Sequence, residues 1–145
     1  MIQTNLAKIK VLQNPGAIFA SAIETDALDF SNHQLAQIII NTDAPIGEDE
    51  EKITAKTTLT VCTTDGTTDT AIPFVLKDKN GIAEEISKDG KEITIGDGAL
   101  YVIKIDADIT HKNGLKNIVI KTTAVTSCTI NGSIIAVLSS PRYSD

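Results

Sequence analysis

The chain has 145 residues and a formal charge of −6, the size of one compact domain rather than two. No basic tract is present that could neutralise phosphates or anionic lipid, so nucleic acid and membrane surfaces are excluded as expected partners. Ile, Val and Thr make up 47 of the 145 residues; these β-branched side chains lose χ1 freedom in helices and fit a pleated sheet, which points to an all-β protein.

Period-two alternation bounded by turn dipeptides orders the chain. A first strand is expected over Leu6–Leu12, with Ile9 and Val11 opposite Lys8 and Lys10, ending at Asn14-Pro15-Gly16. Ala17–Ile23 reads as extended. Ala20-Ser21-Ala22 has the outline of a cleavage site, but the apolar stretch before it is too short for a secretory leader. A polar corner over Asp29–Gln34 precedes a strand at Leu35–Thr42, and the acidic run Glu48–Glu51 reads as a solvated loop.

Ile53–Thr63 is expected to be a long strand, turned at Asp65-Gly66 into a partner over Thr70–Leu76 that Pro73 confines to an edge or bulge. Asn80-Gly81 and Asp89-Gly90 bracket Ile82–Ser87, where a short helical turn has room. Ile93–Ile95, Ala99–Ile105, Lys116–Val125 and Cys128–Leu138 complete a set of eight or more short strands. Turn signals every 8–12 residues are the pattern of an antiparallel β-sandwich of jelly-roll type with little helix. The expected organisation is one domain over 1–145, with extended segments at 1–12 and 140–145.

Parity and local apolarity select a core of Leu35, Ile38, Ile40, Leu59, Val61, Tyr101, Ile103, Ile105, Ile118, Ile120, Ile134, Ala136 and Leu138. The same parity points Cys62 outward and Cys128 inward, which speaks against a bridge between them. Leu35–Thr42 and Leu115–Thr122 share Leu, Ile, Ile and Thr at four of eight positions, which suggests two similarly built halves, each feeding a polar corner into a central strand.

Chemistry is thinly provided for. Asp97, Asp106, Asp108 and His111 outline a divalent-cation site, but Asp106-Ala107-Asp108 lacks the glycine and closing glutamate of a calcium loop. His33 and His111 have no third donor placed with them. No nucleophile elbow occurs, and Gly96-Asp97-Gly98 is a tight turn rather than a phosphate cradle. The threonines between Thr54 and Thr70 are irregularly spaced and read as a plain sheet surface. No catalytic residue, metal or cofactor is expected, and the chain is not read as an enzyme.

The order of several segments resembles the capsid decoration, or head auxiliary, proteins of tailed bacteriophages and related β-sandwich virion components. The resemblance lies in Ala27-Leu28-Asp29-Phe30 before a polar corner, Thr58-Leu59-Thr60-Val61, and Tyr101-Val102-Ile103-Lys104-Ile105-Asp106. It continues through Lys116-Asn117-Ile118-Val119-Ile120-Lys121-Thr122 and Ser133-Ile134-Ile135-Ala136-Val137-Leu138 to the closing Ser140-Pro141-Arg142-Tyr143. It implies a structural virion protein without an active site. Such a protein binds the major capsid protein on the exterior of an assembled shell, passes through the host cytoplasm beforehand, and self-associates, with a trimer favoured. Under this reading the interface residues are Met1, Ile2, Leu6, Ile9, Val11, Pro141, Arg142 and Tyr143. A glycan-binding or adhesin module, and a head–tail connector or tail component, are the alternatives.

Overall fold

The computed structural model describes residues 8–25, 27–29, 33–43, 55–96, 98–106, 117–125 and 130–141. Among the described residues twelve strands run in chain order as β1 (Lys8–Gly16), β2 (Ile23–Glu24), β3 (Leu28–Asp29), β4 (His33–Thr42), β5 (Lys56–Thr64), β6 (Asp69–Ala71), β7 (Phe74–Lys77), β8 (Ala83–Ile86), β9 (Lys91–Thr94), β10 (Leu100–Asp106), β11 (Asn117–Thr122) and β12 (Gly132–Pro141). One sheet has the order β1-β12-β4-β10-β7-β8. The other places β11 and β5 centrally, with β2 and β3 on the free side of β11 and β6 and β9 on the free side of β5. Every pairing is antiparallel.

This order is a jelly roll. The first and last long strands, β1 and β12, are neighbours, β12 lies between β1 and β4, and the chain passes between the sheets as two interlocked Greek keys require. The β7–β8 hairpin is an addition that widens the first sheet. The two sheets close over one core whose fully buried side chains include Ile38, Ile40, Leu59, Ile103, Ile105, Ile118 and Ile120. The stretches that echo each other in sequence become β4 and β11, each at the centre of its sheet. Ile38, Ile40 and Thr42 match Ile118, Ile120 and Thr122 in facing the core.

One member of the expected core sits elsewhere, and another is at the core's margin. Leu35 is half-buried because β4 turns Ala36, Ile38 and Ile40 inward, which puts Leu35 on the outer face. Tyr101 faces inward but is only half-buried, its hydroxyl donating to the Thr94 carbonyl at 3.0 Å; burial raises the phenol's pKa, the largest of its influences.

Local structure departs from the sequence reading at four points. The Ala17–Ile23 segment contains a 3₁₀ turn at Ile18–Ala20 that drives Phe19 into the core. The stretch with room for a helical turn is instead strand β8, and β1 runs on through Asn14-Pro15-Gly16 with register shifts either side of Gln13. The single strand expected over Thr70–Leu76 is two: β6 pairs with β5, then Ile72-Pro73 hands the chain to the other sheet, where β7 pairs with β10. Proline has no N–H for a ladder, so the handover falls where a ladder bond is already lost.

Threonine is part of the core as well as the surface. Thr25, Thr42, Thr57, Thr63, Thr64 and Thr122 are buried, which corrects the reading of the Thr54–Thr70 region as plain surface. Thr42 Oγ1 donates to Ile95 O (2.7 Å) and accepts from Ala99 N–H (2.8 Å), tying β4 to the chain leading into β10. Thr57 Oγ1 donates to Thr123 O (2.7 Å) and accepts from Thr123 N–H (3.0 Å). The hydroxyl of Thr122, the echo of Thr42, has no hydrogen-bond partner. Thr122→Val should therefore stabilise the protein by roughly 1 kcal/mol, and Thr42→Val should destabilise it by about 1–3 kcal/mol because a buried N–H and a buried carbonyl lose their partner. Urea unfolding of the two variants checks the opposite signs.

Candidate interaction surface

Alternation gives each sheet an outer face, and the two outer faces are built differently. On the sheet centred on β11 and β5, the outer face carries Glu24 opposite Lys121, with Cys62 on β5 and Asp69 on β6 in rows further along. Lys121 Nζ reaches across β5 to Asp69 Oδ2 at 2.7 Å. That ion pair lowers the Asp69 pKa chiefly through the hydrogen bond from Lys121 and raises that of Lys121.

Beneath it, Cys62 takes the outward position expected of it yet is only 5% exposed, a free thiol whose pKa is raised mainly by burial. Val119, its cross-strand neighbour, is buried too. Long charged side chains thus cover the small apolar ones on this face.

The outer face of the other sheet has apolar residues at corresponding positions and less cover. Register places Ile9, Val137, Gln37, Lys104, Val75 and Glu85 in one row from β1 to β8. Val11, Ile135, Ile39, Val102, Lys77 and Ala83 form the next row. Ile9 is 69% exposed, Val11 51% and Leu100, on the same face, 41%. Within β1, Ile9 and Val11 face solvent and Leu12 is buried, while Lys10 points toward the core side opposite Ala136, half-buried. An inward-pointing charge on an edge strand discourages a further strand from joining there. At the β7–β8 end, Leu35, Val75, Glu85, Lys104 and Asp106 line a surface groove of about 460 Å³.

Of the residues expected at an interface, Ile9 and Val11 are on this apolar face, and Pro141 lies at the end of β12 opposite His33 in β4. Met1, Ile2, Leu6, Arg142 and Tyr143 lie outside the described residues, as do the Glu48–Glu51 run, Asp97, Asp108, His111 and Cys128. Among the described residues no three acidic, histidine or cysteine side chains converge as a metal site. Asp106 is exposed on the outer face of β10.

Sequence reasoning missed Leu100, Ile39, Val102, Ile135 and Val137 as surface residues of interest. Their signal was present in the runs Ile38-Ile39-Ile40, Tyr101-Val102-Ile103 and Ile134–Leu138, where apolar residues occupy both parities.

No protein family, curated protein or solved structure matches the chain.

Proposed function

We propose that this chain is a structural virion protein that binds the outer surface of an assembled phage capsid and braces contacts between capsomers. The observation that carries the reading is the position of the two terminal strands. Lys8 of β1 pairs with Leu138 of β12, so Lys8 and Pro141 lie on adjacent antiparallel strands at one end of one sheet, within about 10–15 Å of each other given the rise per residue of a strand. Two strands that meet at one corner of a rigid jelly roll can present a single contact site to a neighbouring surface. On a lattice, many such weak and identical attachments add through effective concentration.

A glycan-binding role gains less support. The half-buried Tyr101 spends its hydroxyl on Thr94, and sugar platforms use exposed aromatic faces.

The test is co-sedimentation with undecorated shells assembled from the major capsid protein of the same genome. Removing residues 1–5 or residues 142–145 should leave the fold intact and reduce shell occupancy at least tenfold. Replacing Glu48–Glu51 by serine should leave occupancy within about twofold, since four carboxylates are costly to desolvate against a partner. Loss of binding in the serine variant alone would overturn this placement of the contact.

A further inference from the structure

We propose that the apolar outer face of the β1-β12-β4-β10-β7-β8 sheet is the seat of a second copy of this chain, packed face to face as an isologous dimer. The inference is independent of the shell reading. Strands covered on both faces read as continuous apolar runs, whereas strands with one wet face alternate. Ile38-Ile39-Ile40 in β4, Tyr101-Val102-Ile103 in β10 and Ile134–Leu138 in β12 are of the first kind, and the chain covers only their inner side well. The second sheet solves the same problem internally with Lys121 and Asp69. This one leaves Ile9, Val11 and Leu100 standing out.

Charge and area together select another copy as the occupant. The outward ionisable residues along the two rows and the adjoining groove are Lys77, Lys104, Glu85 and Asp106, two of each sign, although the chain as a whole carries −6. A strongly basic or acidic partner gains nothing from such a face, and a second copy meets it without like-charge repulsion. Six strands about 4.8 Å apart, the longer ones some seven residues deep, give a flat footprint on the order of 600 Å². That is the class of the roughly 800 Å² of accessible surface each partner commits in a standard interface.

The face is also self-complementary. A two-fold axis lying in it, parallel to the strands between β4 and β10, swings each copy's β1 over the other's β7 and β8. Protruding Val11 then lies over Ala83, Ile9 over Glu85 at the rim of the groove beside Val75, and Ile39 over Val102. Each contact occurs twice, as isologous pairing demands.

Sedimentation velocity of the full chain from about 1 to 100 μM tests this, a range that covers moderate dimer affinities. The wild type should sediment as a dimer. The double variant I9K/V11K, at exposed edge positions, and the single variant L100K should each weaken dimerisation at least 100-fold while keeping the wild-type circular dichroism. T58K, on the outer face of the other sheet, and a chain lacking residues 1–5 should remain dimeric. A wild type that is monomeric throughout or trimeric, or an I9K/V11K protein that keeps its dimer mass, would overturn the inference. A monomer that still saturates shells would overturn it and leave the shell reading standing; a dimer that ignores shells would do the reverse.

Discussion

Gly90→Ala should be among the most damaging single-methyl additions to this protein, costing about 2–4 kcal/mol. Two effects combine. Gly90 sits at φ +82°, where an L-residue pays roughly 1–2 kcal/mol for the left-handed conformation. A Cβ placed there would also stand 2.3 Å from the Leu59 carbonyl oxygen, and that atom is backbone of a central strand rather than the end of a pliant side chain.

The Gly90 N–H donates to Ser87 O at 3.0 Å and closes the turn between β8 and β9. Relieving the clash therefore means moving either the turn or β5, with an overpacking penalty on the order of 1–3 kcal/mol. At about 2–4 °C per kcal/mol for a domain of this size, the melting temperature should fall by roughly 5–15 °C. Gly66→Ala is the control: it has a comparable φ of +94° but no atom within 4 Å of the added methyl. A calorimetric scan of both variants should show Gly66→Ala losing only the conformational part.

Ile120→Ala is expected to cost about 2–5 kcal/mol, the range for deleting a fully buried aliphatic side chain. Ile120 is fully buried on the core side of β11, opposite Val61 of β5. Its backbone is tied twice to Thr25, its N–H donating to Thr25 Oγ1 (3.0 Å) and its carbonyl accepting from Thr25 N–H (3.1 Å). These bonds fix the strand, so the lining cannot collapse fully into the space vacated by the sec-butyl group, and the loss should lie in the upper half of the range. Val119→Ala, on the opposite face of the same strand beneath exchangeable polar cover, should cost clearly less. Guanidinium unfolding that gave Ile120→Ala less than half a kcal/mol would mean that Ile120 does not face the core.

The parts of the fold that the sequence made legible are those decided within a few residues. Asp65-Gly66 announces its hairpin by local chemistry: Asp65 Oδ1 accepts from Thr67 N–H (2.8 Å) and Thr68 N–H (2.7 Å), and Gly66 supplies the positive φ. Ile118 and Ile120 declare their face because polar residues flank them at Asn117 and Lys121. Leu35 was misplaced because the neighbouring Ile38-Ile39-Ile40 run has no alternation from which parity can be read.

Other features depend on distant partners. Ile72, Phe74 and Leu76 keep one parity across Pro73, so nothing local says that the chain changes sheets between β6 and β7; pairing with β10 decides it. Cys62 is buried by Lys121 and Asp69, the first of them nearly sixty residues further along the chain. The apolar outer face was legible as composition, in runs that occupy both parities. That the chain's own surface leaves their outer side only half-covered is a property of the finished jelly roll.

A shell-binding protein of the proposed kind should prefer an assembled shell to its dissociated building block. The measurement is binding of the intact protein to undecorated shells and, separately, to the free major capsid subunit of the same genome. Saturable uptake by shells with an apparent affinity at least 100-fold above that for the free subunit is the result predicted, because only the lattice presents several neighbouring contact sites at once. Equal affinity for both, or no uptake by shells at concentrations where the free chain stays folded, would contradict it.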